Sequence, residues 1–426
     1  MNSVNDAYKP SNIENTIQKT PHLLGGVAIT AGTAIGAGMF SLPIVSSSMG
    51  FGWSLVCMAL AWYAMYHASM LILEVNLHFN RGESFYTMVK GILGKKWAIF
   101  NSLIFASLFY TLNYAYISGG SAIVNKILVT NIDVELSQGI ASIVFMLFAG
   151  FFVWVSTKAV DRLLVILITA MSLTFIMAIS DLTILAQYDN LMPKVSSNDS
   201  GYLYIFAALP FYLTSFGFHS NVPSLVKYYG KNPKIIAKTI LFGSIFCIVI
   251  YSLWLISTLG NLNSHNYSSI SKGGGSIQSL VVALNQVTNN LHLNELLDYF
   301  ANMAVLSSFL GVSLGLFDFL ADKLKFSDNG MGRFKTALFT FIPPAIGSYL
   351  YPNGFIMAIG FAGLLLAINA LILPSFMVKK SRKIFKPSIY THSGGDFRIN
   401  SIIIFGVIFS LCHLLSMFGF LPQVHT

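Results

Sequence analysis

The sequence predicts an all-α polytopic membrane protein with about eleven transmembrane helices, arranged as two inverted five-helix repeats and one extra helix. Three observations support this prediction: the apolar composition, the number of long apolar segments, and two interruptions at matching places in the chain. Of the 426 residues, 55% are hydrophobic and only 10% are charged, and the mean hydropathy is +0.68. This is more apolar surface than one water-facing core can bury, so we expect the chain to lie in a lipid bilayer.

The apolar segments define the predicted spans, because about 20 apolar residues are needed to cross the hydrocarbon core as a helix. Such segments lie at residues 22–49, 51–77, 97–127, 136–157, 161–187, 202–229, 235–259, 295–320, 334–350, 353–378 and 398–421. Residues 1–21 are polar and lack a cleavage-site pattern, so they are predicted to form a cytoplasmic amino-terminal tail. Two connections are predicted to contain short helices, at 78–96 and, on the external side, at 260–294.

The basic residues predict the orientation, since Lys and Arg are retained in short cytoplasmic loops. With a cytoplasmic amino terminus, only Lys126, Lys194 and Lys272 of the 25 Lys and Arg residues fall outside. An odd number of spans then leaves the carboxyl terminus outside. The formal charge of +9 is spread over several short loops, which is typical of orientation signals, so no nucleic-acid partner is predicted.

Two spans are interrupted by residues that break helices. The first span contains "GTAIGAG" (32–38), and the sixth contains "LTSFGFHSNVP" (213–223). A single glycine-rich span would be better explained by close helix packing. Two interruptions at the same ordinal position in opposed halves favour an inverted-repeat secondary transporter, whose discontinuous helices form the substrate site. The predicted parts are the tail at 1–21, the first repeat at 22–187, the second repeat at 202–378 and an accessory helix at 398–421.

An interrupted backbone inside a bilayer needs partners, because lipid supplies no hydrogen bonds. The middle of the predicted bundle lacks Asp, Glu, Lys and Arg, so the helix ends would have to bind both charges of a zwitterion. The candidates for binding its carboxylate are the amides of Ile35, Gly36, Ala37 and Gly38. The candidates for binding its ammonium group are the carbonyls near Thr30, Ala31, Gly32, Leu213 and Thr214. The hydroxyl of Thr33 either joins this site or bonds to its own helix.

Aromatic residues near the interruptions suggest that the substrate carries a flat aromatic side chain. The candidates for enclosing it are Tyr110, Asn113, Tyr114, Phe216, Gly217 and Phe218. The first three share one face of the third span, and the last three lie in the second interruption. Aromatic rings prefer offset or edge-to-face partners, and an asparagine oxygen is able to accept an indole N–H. For each aromatic residue alone, ordinary bundle packing is the competing explanation.

Two kinds of residue are candidates for coupling to a cation. His219 lies in the second interruption, and its imidazole titrates near neutral pH, so it is a candidate for proton coupling. A structural histidine that ties down unwound backbone is the competing explanation. Ser307 and Ser308 are candidates for a sodium site with carbonyls of the first span, although serines in spans more often bond to their own backbone.

Two acidic residues, Glu74 and Asp318, lie inside the ends of predicted spans. Membrane-embedded carboxylates are costly and are usually paired. Each is therefore expected to meet a basic residue of a nearby inner loop, such as Lys158 or Arg162. Glu74, Asp318 and Lys158 are candidates for gating or coupling, and a static ion pair is the alternative.

Catalytic and cofactor chemistry is not predicted. The three cysteines, Cys57, Cys247 and Cys412, lie inside spans and suggest neither a disulfide nor a metal site. An enzyme would need a nucleophile with a positioned base, a metal cluster or paired acids, and the pattern contains none of these. A membrane receptor that only senses its ligand would be expected to carry a signalling domain, for which no loop is long enough.

Long motifs resemble those of the bacterial aromatic amino acid permeases, the hydroxy and aromatic amino acid transporters of the amino acid, polyamine and organocation superfamily. The motifs are "LLGGVAITAGTAIGAGMFSLP", "LILEVNL", "YAYISGG", "SFGFHSNVPSLVKYYG", "SSFLGVSLGLFDFLADKL" and "PNGFIMAIGFAG". The resemblance implies a LeuT-type fold of two inverted five-helix repeats plus an eleventh helix, in the bacterial inner membrane. It also implies import of tryptophan or tyrosine, driven by an ion gradient that is generally one of protons.

The motifs divide between the two substrates. "VWVSTKAV", "SLVKYYGKNPK" and "KGGGSIQSLVVAL" are more similar to the tryptophan permeases. Thr214 and Phe218 are more similar to the tyrosine branch, and Ser220 stands where the resemblance leads us to expect glycine. Tryptophan is therefore predicted as the first substrate and tyrosine as the second.

Overall fold

The computed structural model describes residues 22–192, 202–288, 290–385 and 389–422. The predicted amino-terminal tail at 1–21 and the predicted external Lys194 lie outside these ranges. Within them the chain is predominantly helical and contains no β-strand. The predicted all-α class is thereby confirmed.

Helices occur at every predicted span. In chain order they are α1 (Leu23–Ala34), α2 (Ser41–Ser46), α3 (Gly50–Asn76), α4 (Phe85–Leu93), α5 (Lys95–Ile132), α6 (Gln138–Val155), α7 (Thr157–Leu185), α8 (Tyr188–Leu191), α9 (Tyr202–Ser215), α10 (Val222–Tyr229), α11 (Pro233–Asn261), α12 (Ser264–Lys272), α13 (Ile277–Thr288), α14 (Leu291–Leu324), α15 (Gly330–Leu350), α16 (Phe355–Leu366), α17 (Leu373–Ile384) and α18 (Gly395–Met417). The short helix predicted within 78–96 is confirmed as α4, and the one predicted within 260–294 is confirmed as α13, whereas α12 was not predicted. A π-helical turn at Ala367–Ile372, between α16 and α17, was not expected from the sequence.

Eight helices in the described ranges are long and apolar enough to cross a membrane. The number rises to nine if α1 and the segment Ala37–Ser46, which is bent from it by 50°, form one span. The two remaining predicted spans are α9 with α10, which have 14 and 8 residues, and α15, which has 21 residues and contains Pro343 and Pro344. A multi-pass membrane protein is therefore confirmed, and the full set of eleven crossings stays a prediction.

The two predicted interruptions are present and have the same local order of structure. After α1, Ile35 and Gly36 adopt extended backbone angles, a 3₁₀ turn covers Ala37–Phe40, and α2 follows. After α9, a non-helical Gly217 precedes a 3₁₀ turn at Phe218–Asn221, and α10 follows. Unwinding of this kind leaves backbone groups without their helical partners, which is the property the proposed site needs.

Long helices enclose both interruptions. α1 packs against α11 and α9 packs against α3, while α7 packs against α14 and α5 against α16. α6 contacts α15, and α5 also contacts α14. The residues at the start and end of each interruption, such as Ala34, Ala37, Ser215 and Phe218, are all buried. The interruptions therefore lie inside the bundle.

Candidate functional site

The first interruption leaves two backbone amides unbonded. Of the four amides predicted to bind a carboxylate, that of Ile35 donates to a carbonyl of α1 at 2.8 Å, and that of Ala37 donates to Ser308 Oγ at 2.9 Å. The amides of Gly36 and Gly38 have no acceptor among the described residues. Because unbonded amides at the start of a helical turn attract anions, these two remain able to bind a carboxylate.

The glycines of the first interruption have different surroundings. A Cβ at Gly36 would lie only 2.6 Å from Ser308 Oγ, so even alanine would displace that serine. A Cβ at Gly38 or Gly32 would meet no heavy atom within 4 Å, so these two glycines border open space. The open space is where a ligand could approach the main chain closely.

Two of the carbonyls predicted to bind an ammonium group are unbonded. Those of Ala31 and Leu213 each accept a backbone N–H, at 2.8 and 3.1 Å, and Thr30 lies inside α1. The carbonyls of Gly32 and Thr214 accept no hydrogen bond from any described part of the chain. Free carbonyls therefore lie at the carboxyl-terminal end of each interrupted helix, where partial negative charge accumulates.

Two aromatic residues of α11 bind the backbone next to the interruptions, and sequence reasoning missed both. The Tyr251 hydroxyl oxygen lies 2.7 Å from the Ala34 carbonyl oxygen and 2.6 Å from the Ser215 carbonyl oxygen. The Trp254 Nε1–H donates to the Met39 carbonyl at 3.2 Å. Both side chains are fully buried. The available signal was a pair of aromatic hydrogen-bond donors three residues apart on one apolar span.

Thr33 connects the two interruptions. Its hydroxyl donates to the Ile29 carbonyl at 3.0 Å, which is the bond to its own helix that the sequence left open. The same hydroxyl accepts a hydrogen bond of 2.6 Å from Asn221 Nδ2, in the second 3₁₀ turn. Ser220, beside Asn221, is exposed. Thr33 therefore holds the first interruption to the second through a side-chain contact.

Phe216 and Phe218 form an edge-to-face pair, with ring centroids 6.4 Å apart. Phe216 makes a second edge-to-face contact with Tyr251 at 5.3 Å. Both phenylalanines are at most 1% exposed. A Cβ added at Gly217, between them, would lie 3.3 Å from the Thr214 carbonyl oxygen. The structure thus packs these rings against α11, behind the second interruption.

The predicted residues of the third span, now α5, face other helices. The Tyr110 and Tyr114 hydroxyls each donate to a backbone carbonyl at 2.7 Å, in α15 and at the residue just after it. The Asn113 amide is buried: its Nδ2 donates to the Phe109 carbonyl, and its Oδ1 accepts from Ser313 Oγ. The polar atoms of these residues are therefore bonded within the protein rather than directed at the interruptions.

His219 is 6% exposed and lies in the second 3₁₀ turn. Its Nε2 is 3.4 Å from Nδ2 of Asn369, which belongs to the π-helical turn. His219 Nδ1 and Asn369 Oδ1 are buried and have no partner in the described ranges. A histidine with one unsatisfied ring nitrogen, next to a π-helical turn, is typical of a functional position.

The serines of α14 take different roles. Ser308 accepts the Ala37 amide, whereas the Ser307 hydroxyl donates to the Ala304 carbonyl one turn back, at 3.2 Å. Asp318 and Lys158, the other gating candidates, are exposed. Neither forms an ion pair with any described residue.

Glu74 pairs with a basic residue, as predicted, but the two residues named as examples were wrong. Instead of Lys158 or Arg162, the carboxylate binds Arg382 in two hydrogen bonds of 2.7 and 2.9 Å and accepts the His392 backbone N–H at 2.7 Å. The physical reason is that α17 packs along α3 and brings a residue 308 positions away to the carboxylate. Glu74 is 2% exposed and fully paired, which favours a static ion pair over a gating or coupling role.

Comparisons with known proteins agree over nearly the whole chain. A model of the tryptophan/tyrosine permease family matches residues 19–413. The tryptophan-specific transport protein of Pseudomonas aeruginosa (strain UCBPP-PA14) is 45% identical over 96% of this chain and 98% of its own length. The protein of the same name from Shigella flexneri is 44% identical, with the same coverages of 96% and 98%. The tyrosine permease of Enterobacter agglomerans is 37% identical over 95% of this chain and 98% of its own length.

Proposed function

The chain belongs to the tryptophan/tyrosine permease family, and on that premise we propose that it imports tryptophan by secondary active transport coupled to a cation. It is a permease and not an enzyme. Tryptophan comes first because the two more similar relatives described above are named for it, and tyrosine is the alternative substrate. A proton is the first candidate for the cation, and sodium is the second.

The observation that carries this proposal is the set of unbonded backbone groups at the two interruptions. The amides of Gly36 and Gly38 bind the carboxylate of the amino acid, and the carbonyls of Gly32 and Thr214 bind its ammonium group. Helix ends supply partial charges of the required signs, which explains how a zwitterion is held where ionised side chains are lacking. A contribution of Tyr110, Asn113, Tyr114, Phe216 and Phe218 to the ring contacts stays a prediction.

We propose that two inverted repeats, at 22–187 and 202–378, carry this site, with 398–421 as an accessory helix. The packing supports the proposal because two pairs of helix contacts correspond when the halves are exchanged: α1 on α11 matches α9 on α3, and α7 on α14 matches α5 on α16. Under this exchange α6 and α15 are equivalent and contact each other. Eleven crossings, with the amino terminus in the cytoplasm and the carboxyl terminus in the periplasm of the inner membrane, complete the proposed topology.

His219 is the proposed proton acceptor. It is buried in the second interruption, and its Nδ1 has no bond to a described residue. Co-transport of one positive charge across about 100 mV supplies about 2.3 kcal/mol, which corresponds to about fifty-fold accumulation. Sodium coupling would instead draw on Ser308 and the free carbonyls of the first interruption.

The test is uptake of labelled tryptophan into proteoliposomes that contain the purified protein. We expect uptake under an inward proton gradient at equal sodium on both sides, with competition by tyrosine and little competition by leucine. Uptake that requires a sodium gradient alone would remove the role of His219, and stronger competition by leucine would remove the aromatic specificity. Saturable binding without uptake under any gradient would favour a sensor.

A further inference from the structure

One hydroxyl group lies between the ends of the two interrupted helices. Ala34 is the last residue of α1, and Ser215 is the last residue of α9. The Tyr251 hydroxyl oxygen lies within 2.7 Å of both of their carbonyl oxygens and is fully buried. These carbonyls come from opposed halves of the chain, 217 and 36 residues away from Tyr251. A single side chain therefore contacts both interruptions at the point where each helix stops.

The chemistry of this contact follows from the charge of a helix end. Terminal carbonyls lack helical partners and carry partial negative charge, so two of them close together in a buried place repel each other unless a donor or cation lies between. A tyrosine hydroxyl has one hydrogen, which the two carbonyls share. The hydroxyl therefore supplies the positive end of a dipole where a bound cation would otherwise be required.

Trp254 supports the same arrangement from the next turn of α11. Its indole N–H binds the Met39 carbonyl, beyond the first interruption, and its ring meets Phe40 edge to face at 5.3 Å. Tyr251 thus holds the backbone before the interruption, and Trp254 holds it after. Between these two bonds lie the free amides of Gly36 and Gly38.

We propose that Tyr251 is a positioning residue for substrate binding. By joining the Ala34 and Ser215 carbonyls, its hydroxyl fixes the two interruptions relative to each other. This keeps the free carbonyls of Gly32 and Thr214 at the separation at which one ammonium group reaches both. It also removes the Ala34 and Ser215 carbonyls from the set available to the ligand. The proposal rests on the proposed function, because it concerns the same substrate.

The test compares Tyr251→Phe with Tyr267→Phe in the purified, full-length protein. Tyr267 is also buried, but its hydroxyl forms no hydrogen bond to either interruption, so it is a matched control. We measure the Kd of labelled tryptophan and the Tm of each variant. Loss of a hydrogen bond that leaves two buried carbonyls unsatisfied should raise the Kd of Tyr251→Phe about tenfold, whereas Tyr267→Phe should bind as the wild type does.

The outcomes separate the positioning role from a structural one and from the function itself. A lower Tm with an unchanged Kd in Tyr251→Phe would mean that the hydroxyl only stabilises the fold, and the proposal would be overturned. Failure of the wild-type protein to bind tryptophan or tyrosine would overturn the proposed function instead. A second variant, with 3-fluorotyrosine inserted at position 251, keeps the shape and changes the strength of the donor. If Tyr251→Phe does not accumulate, an unchanged Kd in this second variant overturns the proposal.

Discussion

Two polar regions of this protein, each with buried groups, differ in how fully their hydrogen bonds are satisfied. The first, which we call the linker cluster, consists of His67, Glu74, Arg382, His392 and Arg398, and its only carboxylate accepts three hydrogen bonds. At the interruptions of α1 and α9, several backbone amides and carbonyls form no hydrogen bond with a described residue. Polar groups whose hydrogen bonds are satisfied stabilise a fold. Buried polar groups that lack hydrogen-bond partners, and have no ionised side chain nearby, indicate a place for a ligand.

The linker cluster also has a fixed direction of hydrogen bonding. An arginine is only a donor, so Arg398 donates to His67 Nε2, and the proton of that ring must lie on Nδ1. His67 then donates to His392 Nε2 at 2.9 Å, and the remaining His392 nitrogen donates to the Tyr390 hydroxyl at 3.0 Å. Both rings are neutral in this arrangement. In the described ranges, Arg398 Nε is the one nitrogen of the cluster that is buried without a partner.

The largest expected effect is at the interruptions. Gly36→Val should abolish tryptophan uptake, by about a thousandfold or about 4 kcal/mol, because its side chain would displace Ser308 and cover the free amides. The control is Gly52→Val in α3, where a Cβ meets no atom within 4 Å. Uptake and the amount of protein in the membrane are measured for both variants. Normal uptake by Gly36→Val would show that the two regions do not differ in function.

The next largest effect is in the linker cluster and concerns stability. Glu74→Ala removes the buried carboxylate that pairs with the half-buried Arg382, so the free energy of unfolding should fall by about 3 kcal/mol while the Kd of tryptophan stays unchanged. Asp328→Ala is the control, because Asp328 pairs with Arg333 while its side chain is 85% exposed, and little change in Tm is expected there. A weakened Kd in Glu74→Ala would assign the linker cluster to the transport site.

A smaller effect depends on pH. Burial, with the positive charge of Arg398, lowers the pKa of His392 from its usual 6.5 to about 4. Between these two pH values the unfolded chain therefore binds more protons than the folded one. The contribution of His392 to the free energy of unfolding is fully present above pH 6.5 and falls as the pH drops toward 4. Lowering the pH from 7 to 5 should cost about 2 kcal/mol at this residue. Thermal unfolding at both pH values should show less pH dependence in His392→Gln than in the wild type or in His265→Gln, whose histidine is exposed.

The smallest effect distinguishes two adjacent serines. Ser308→Ala removes the acceptor of the Ala37 amide and should weaken tryptophan binding several-fold, equivalent to about 1 kcal/mol. Ser307→Ala removes only a bond to its own helix and should leave the Kd unchanged. Binding of tryptophan to the two purified variants is compared directly. Equal Kd values for the two variants would show that Ser308 does not contribute to tryptophan binding at the first interruption.

Local features were predictable because they depend on neighbours in the chain. The glycines at 32, 36 and 38 predicted the first interruption, and the residues around Gly217 predicted the second. The two bonding possibilities of Thr33 were also foreseen, and one of them is present. The burial and pairing of Glu74 were expected as well, but its partner was not.

The sequence by itself determined the helical membrane class, the places of the interruptions and the lack of ionised side chains beside them, since these follow from composition and short-range backbone preferences. Only the tertiary structure decided which backbone groups stay free, and which side chains bind the others. Tyr251 reaches Ala34 across 217 positions, and Arg382 reaches Glu74 across 308. Such partners depend on how helices from opposed halves pack together, and that packing brings together residues whose separation in the chain carries no information about their contact.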